Sequence, residues 1–593
     1  MSRLGRKDVR TRWEIELFPF STIYPEERGG KSGTPEVIKV GIQNVRISRS
    51  KTTPTGNCSF MIVGKPPDSC FPGTWMIAAT ASFESAGKER KLSRFIGQIY
   101  DMTVDYVTIP DSGIVQARST FFCREWSSML EMPVRYDLNS IAQSQAKNSS
   151  TGGVSNFSIS GAVKKSEMSN GKYVDIIEKS FSAYELTHLI LKLIGAIGEN
   201  DSINSIKALG DIKLSEVSLR MPSVPQSLLD RLNLKGAKAN SPFTSGFCRI
   251  ITGVQKNPVN NKGDFNGIWG RESPSVQSYA DGMDKNPKDR PITLGLAPLA
   301  SLGDSAWNLI TQHCDPAINE FFTDMLYEQG TNPSDIVGRP VVFARDKPFL
   351  MKRFKDSVPT SLGSWTVYDN LPRIYIDNVY IDSFSIKNTI LNSPNFIRMN
   401  FNPQTMKSEI GPAIAQLEQT QLAPEMDRFG GQEHFVETQF MPNSVKDGKP
   451  LDLKEWFKKI RSIAVFWHAY NYRMASGSIR LRDDNIPITV GMNVQFPMGE
   501  FQIVGHVESI EISGTVSENG QYQTSTTVQI SRVVQSINGR LEFIAPNAMS
   551  NLMASKPKAV PDSAAFGDTL SSGLQSVAGA ISKGIDAIKG ILS

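Results

Sequence analysis

VIKVGIQNVRISRSKTTPTGNCSFMIV, residues 37–63, decides the fold class. From Val37 to Ser48 apolar and polar side chains alternate, the period of two expected of a strand with one face against a core. Pro54-Thr55-Gly56 is a turn signal, and Cys58 to Val63 resumes the alternation. The segment therefore reads as two strands joined by a tight connection. The same pattern recurs downstream at Trp75 to Ala79, Phe95 to Val107 and Ile114 to Phe122. Successive strands with short polar turns predict an antiparallel barrel or sandwich over residues 1–136.

Beyond it the composition shifts. Residues 137–172 are dominated by Ser, Asn, Gly, Gln and Lys, so 137–180 reads as a polar linker or loop. Ser182 and Glu185 form a capping box before an apolar helix through Leu186, Leu189, Ile190, Leu193 and Ile197. It opens a mixed helix and strand region, 181–300, with strands near Val217 and from Phe247 to Val254. The Gly-, Asn- and Pro-rich stretch 256–291 reads as a long loop.

Residues 301–402 begin with WNLITQHCDPAINEFFTDMLYEQ at 307–329. Trp307 starts a helix, and Asp315 with Pro316 reads as the cap and first turn of a second. Ile318, Phe321, Phe322, Met325 and Leu326 fall at helical spacing, so the expectation is a helix pair followed by a strand through Val341, Val342 and Phe343. Ile374 to Ile386 and Phe396 to Phe401 are further strands. Residues 403–545 read as a C-terminal β module, with one helix over Asp452 to Met474 and strands between Ser476 and Val533.

Residues 546–593 are a Pro-punctuated linker and an amphipathic helix. Leu570, Leu574, Val577, Ile581, Ile585 and Ile588 step by three or four and make one apolar stripe. Gly573, Gly579, Gly584 and Gly590 each weaken a free helix by roughly 1 kcal/mol, so this one needs a partner. Those six apolar residues are the candidate partner-binding site. The fold class expected is α+β, mostly β: an antiparallel barrel or sandwich, a second group of alternating strands, additional mixed and β domains, and the C-terminal amphipathic helix.

A chain of 593 residues is too long for one core, and three or four domains are expected. The net charge of +5 over that length is too small to make nucleic-acid binding the main task. Five scattered cysteines, with no C-x-x-C, read as reduced structural thiols made in a cytoplasm. The apolar run Ile190 to Ile197 is too short to span a bilayer, and no membrane role is expected.

Candidate catalytic groups each meet a plainer alternative. Glu320 and Asp324 are two carboxylates four apart, the residue types of glycoside hydrolysis, yet any amphipathic helix offers such pairs. His313 stands beside Cys314, but neighbours on a helix do not face each other. His188, His434, His468 and His506 lack metal-ligand spacing. Gly30-Lys31-Ser32 ends like a phosphate-binding loop, but Pro25 stands where the first glycine belongs. Thr244-Ser245-Gly246 is a turn signal rather than a nucleophile elbow. Neither catalytic, metal nor cofactor-binding residues are assigned, and the chain is not expected to be an enzyme.

Three segments together resemble the central baseplate hub family of contractile-tailed bacteriophages. VRISRSKTTPTGNCSFMIVG (45–64), with PGTWMIA (72–78) and RFIGQIYDMTV (94–104), is similar to the first barrel of that family. Trp307, the run Asn319-Glu320-Phe321-Phe322, Asp324, and Pro340 through Arg345 to Pro348-Phe349 resemble its helix and strand element. IDNVYIDSFSIKNTILNSPNFIRMNFN (376–402) resembles its second barrel, and residues 470–513 its closing module.

The resemblance implies two tube-like barrels per chain. It also implies a homotrimer joining a hexameric tail tube protein to a trimeric central spike protein, with tape measure and wedge proteins as further partners. Genome DNA would be transient cargo in the lumen. The location implied is the virion tail baseplate, after synthesis in the host bacterial cytoplasm. Rival readings are another tail-tube or baseplate-ring subunit, a fused hub and spike of secretion-system type, and a tail-associated cell-wall hydrolase.

Overall fold

The computed structural model describes residues 10–20, 33–83, 89–108, 115–131, 155–158, 162–169, 172–180, 224–234, 247–252, 291–293, 305–313, 319–330, 334–346, 373–388, 394–401, 420–421, 430–438, 440–442, 445–446, 449–450, 474–482, 486–498, 501–516, 522–537 and 540–542, with the single residues 113, 427 and 544. The chain divides into two compact units, Met1–Phe543 and Ile544–Ser593. Ile544 is the one described residue of the second unit. The apolar stripe from Leu570 to Ile588 and the helices expected near 182–197 and 452–474 lie outside the described residues.

The first unit is mostly β, as expected. Its N-terminal set comprises β1 (Arg10–Phe18), β2 (Glu36–Ile38), β3 (Ile42–Ser50), β4 (Asn57–Val63), β5 (Trp75–Phe83), β6 (Glu89–Thr108) and β7 (Val115–Glu125). The spatial order is β2-β1-β5-β6-β7-β4-β3, antiparallel throughout. The opening stretch forms β2, β3 and β4, as its alternation implies. Asn44 adopts φ +50°, and the β3–β4 register shifts between Gln43 and Arg46. This bulge moves the buried phase by one residue, from Ile42 to Val45, Ile47 and Arg49. Phe60 of β4 and Phe121 of β7 are cross-strand partners, stacked 4.9 Å apart in the core.

Within 137–180, expected to be linker, the chain forms an antiparallel three-stranded sheet: β8 (Ser155–Ser158), β9 (Ala162–Ser169) and β10 (Lys172–Ser180). Val163, Tyr173, Val174, Ile176 and Ile177 supply β-formers that the polar composition of the whole segment conceals. Among the described residues two short helices follow, α1 (Gln226–Arg231) and α2 (Ala306–His313).

The second helix expected after Asp315 is instead a strand. Residues Asn319–Gln329 form β13, which pairs along its whole length with β14 (Asp335–Asp346). Phe321 through Tyr327 are all buried, so both faces of β13 are covered. A strand buried on both faces loses the polar–apolar alternation and imitates the i, i+3, i+4 spacing of a helix. Phe322 stacks on its cross-strand partner Phe343 at 4.8 Å. β11 (Arg249–Thr252) runs parallel to β14, and β14 meets β6 at Lys91 and Leu92.

The third group is β15 (Arg373–Tyr375), β16 (Ile381–Lys387), β23 (Ala475–Arg482), β24 (Asn493–Met498), β25 (Phe501–Val516), β26 (Tyr522–Ile537) and β27 (Arg540–Glu542). β16 pairs with β23 and β15 with β24. The strands at 373–387 thus join the C-terminal module, while 319–346 join the N-terminal set. Sequence neighbourhood, the basis for grouping 301–402 together, does not fix sheet neighbourhood. Small peripheral sheets unite β12 (Pro291–Thr293) with β20 (Phe440–Pro442), β17 (Phe396–Phe401) with β18 (Thr420–Gln421) and β19 (Glu433–Thr438), and β21 (Val445–Lys446) with β22 (Lys449–Pro450).

The N-terminal and C-terminal sets fuse along β3 and β25, where Val45–Ser50 pair antiparallel with Ser509–Gly514. Among the described residues the result is one continuous sheet of 17 strands. Gly514 is needed at this seam, because a Cβ there would overlap the Trp13 indole.

Candidate functional site: charged seams and exposed strand edges

Two clusters of charge lie where the N-terminal set, the β13–β14 ribbon and the C-terminal set meet. In the first, Arg49 Nε donates to Glu125 Oε1 at 2.6 Å, and both side chains are at most 3% exposed. Glu125 Oε2 also accepts the Gly56 N–H at 3.1 Å, and a Cβ at Gly56 would fall on that carboxylate. Arg49 Nη1 lies 3.7 Å from Asp324 Oδ1, and Nη2 donates to the Arg94 carbonyl. Asp324 accepts the Met325 N–H at 2.7 Å and the Val490 N–H at 2.5 Å. Arg94 itself donates to the Ile486 carbonyl at 3.1 Å. Strands β3, β6, β7 and β13 and the loop before β24 are thereby tied at one point.

Burial dominates the Asp324 carboxyl and pushes it up to about 7, with Glu125 adding to the rise while Arg49 and the two backbone N–H groups oppose it. Burial works against the Arg49 cation, yet the Glu125 and Asp324 charges outweigh it and hold the guanidinium more firmly protonated than usual.

The second cluster joins the same three sets. Lys51, just past β3, donates to Glu320 Oε2 of β13 at 2.7 Å. Its Nζ is 3.0 Å from His506 Nε2 of β25, and His506 Nδ1 is 3.0 Å from Asn493 Oδ1. An ammonium has no acceptor, so Nε2 accepts and Nδ1–H donates, the neutral tautomer. Glu508 lies 3.6 Å from Lys51 and accepts from Ser531 Oγ at 2.5 Å.

A third network braces the outer side. Lys91 of β6 bonds Glu14 at 2.8 Å and also Glu16, while Arg231 of α1 donates to Glu16 at 2.8 Å and lies 3.6 Å from Asp335. Burial opposes ionisation of Glu14 and Glu16. Hydrogen bonds and charge from Lys91 and Arg12 on Glu14, and from Arg231 and Lys91 on Glu16, prevail and hold both carboxyls below the usual range.

The carboxylates singled out from sequence, Glu320 and Asp324, are therefore not a catalytic pair across a cleft. Four residue steps along the strand, about 13 Å, separate them, and each is bonded to a structural partner. His506 is a buried brace rather than a ligand, and no cluster able to hold a metal occurs among the described residues. Cys58, Cys70, Cys123 and Cys248 are buried free thiols, as read from their scatter. No described helix is long and apolar enough to cross a membrane. Cys314, Gly30-Lys31-Ser32 and Thr244-Ser245-Gly246 lie outside the described residues. Sequence reasoning missed Arg49, Glu125 and Lys51. The signal was available for two of them: Arg49 sits in phase with Val45 and Ile47, and Glu125 with Phe121 and Cys123.

Exposed large apolar side chains gather at strand edges. Val104, Tyr106 and Val115 lie on the outer half of the β6–β7 ribbon. Tyr375 ends β15, Val379 and Tyr380 sit in the helical turn that follows, and Phe384 lies on β16. The described pairings leave the far edge of β16 without a strand partner.

No family model and no curated relative matches the sequence. Among solved structures the chain is similar to tail proteins and, at 8% identity and TM-score 0.36 over 88% of this chain and 65% of that one, to a chain of a PdpA–VgrG complex. A tail protein from Neisseria meningitidis aligns at 9% identity and TM-score 0.36, over 88% of this chain and 96% of that one. A 43 kDa prophage tail protein from Shewanella oneidensis aligns at 8% and 0.36, over 88% and 98%. A prophage tail protein from Listeria monocytogenes aligns at 7% and 0.33, over 91% and 98%. Likenesses at this level carry no residue correspondence.

Proposed function

We propose that this chain is the structural hub of a phage tail baseplate: a homotrimeric adaptor between the hexameric tail tube and the trimeric central spike, forming part of the DNA ejection channel. The observation that carries this reading is the fusion of two strand sets, the first antiparallel throughout and the second antiparallel except where β15 meets β24, edge to edge through β3 and β25 within one chain. Three chains then present six strand sets to a six-fold tube while remaining three-fold toward a spike. The charged seams suit that role, because they fix the angle between the sets through hydrogen bonds that only one arrangement satisfies. The chain does no catalysis in this reading; it belongs to the virion tail, with tape measure and wedge proteins as further neighbours.

The apolar stripe at Leu570, Leu574, Val577, Ile581, Ile585 and Ile588 then serves as a docking helix or a three-chain bundle. Deleting residues 563–593 should weaken tail assembly and leave the ring intact; unchanged assembly removes that assignment. The hub reading itself is tested by class averages of the purified particle in the electron microscope. Three-fold rings with six lobes support it. Six-fold rings of single-set subunits would favour a tube or baseplate-ring protein, and peptidoglycan cleavage by the pure chain would revive the hydrolase.

A further inference from the structure

The outer half of the β6–β7 ribbon carries the core face of the N-terminal set beyond the core. Val104 and Tyr106 are registered against Ser119 and Ala117, on the same face as the buried Phe121 and Cys123. Yet Val104 is 43% exposed and Tyr106 75%. β6 loses its β5 partner after Gln98, so one backbone edge of residues 100–108 has no strand partner among the described residues. In the C-terminal set, the far edge of the seven-residue β16 has no strand partner among the described residues; exposed Phe384 lies on β16, and exposed Tyr375 and Tyr380 precede it. Both surfaces are exposed on a single chain, so neither covers the other.

We propose that the outer β6–β7 ribbon of one copy packs head to tail on the β15–β16 edge of a second copy. Charge selects this occupant. The described residues of the ribbon, 100–108 and 115–118, carry Asp101 and Asp105 against Arg118. The edge and its neighbour β23 carry Arg373, Lys387, Arg480 and Arg482 against Asp377 and Asp382. An acidic apolar ribbon meets a basic apolar edge, and two open strand edges of similar length can share backbone hydrogen bonds. Because the two surfaces differ, the contact is heterologous and must close into a ring or run on as a filament. The contact rests on the hub reading only for the number of copies that close it.

Full-length chains carrying Thr103→Cys or Ser385→Cys are mixed and treated with a short bis-maleimide, then resolved on a denaturing gel; native mass is measured in parallel. The expected result is a crosslink that needs both cysteines, and a doubly substituted chain whose ladder stops at the trimer. Tyr106→Asp, with circular dichroism unchanged, should abolish both the crosslink and the association. A trimer with no crosslink between the two sites overturns this contact and leaves the hub reading standing. A crosslinked ladder stopping at the hexamer keeps the contact and overturns the trimer. A chain that stays monomeric and uncrosslinked overturns both.

Discussion

Arg49–Glu125 and Arg482–Asp382 are both arginine–carboxylate pairs joining two strands, β3 to β7 across β4 in the first and the neighbours β16 and β23 in the second, yet they do different work. The first is at most 3% exposed and hydrogen-bonded on every side; the second leaves its arginine 55% exposed at the rim of β16 and β23. Water screens the outer pair and can replace either partner, whereas nothing replaces a lost partner in the inner one. The inner pair therefore specifies one arrangement of three strand sets, and the outer pair mainly sets surface charge.

The sharpest way to break this contrast is Glu125→Ala, which leaves Arg49 buried without its carboxylate. A loss of about 3–5 kcal/mol is expected, read as a lower urea midpoint. Replacing Arg49 and Glu125 together by Met and Leu should recover much of that loss, because the uncompensated charge is gone. If Glu125→Ala proves neutral, the buried seam does not hold the sets together.

A second effect comes from pH. The Asp324 carboxyl is raised to about 7 from an ordinary 3.8, so its contribution to stability is full below the ordinary value and lost as pH rises through about 7. Glu14 and Glu16 are shifted the other way. Their contribution is present above the ordinary 4.5 and lost as pH falls through their lower folded values. Thermal stability should therefore peak at mildly acidic pH and decline as pH rises toward about 7, where the Asp324 contribution is lost. Asp324→Asn should flatten that decline toward neutral pH while leaving the acid limb; an unchanged profile would remove Asp324 as its source.

Glu320→Gln, which keeps shape but removes the charge facing Lys51, is expected to cost about 1–3 kcal/mol, since that pair is only 10–11% exposed. Smallest of all, Arg482→Ala should change stability by less than about 1 kcal/mol. A large effect there would mean that exposure does not separate the two classes of pair.

The same distinction explains what could be read in the sequence. Strands with one wet face announce themselves: β3 and β4 follow directly from the alternation in 37–63. β13 does not, because both its faces are covered and its apolar spacing fits a helix equally well. Arg49 and Glu125 were legible only as charges in phase with a core stripe, a weak signal until the partner strand is known. That partner is remote in sequence, since Arg49 and Asp324 meet only after β13 has joined the N-terminal set. Pairing of β3 with β25, across more than 450 residues, leaves no local trace at all.

Light scattering of the purified full-length chain tests the central claim most directly. A particle of three times 65.4 kDa is expected, stable across concentration. A particle of six chains would make this a ring subunit rather than an adaptor, and a persistent monomer would contradict the hub outright.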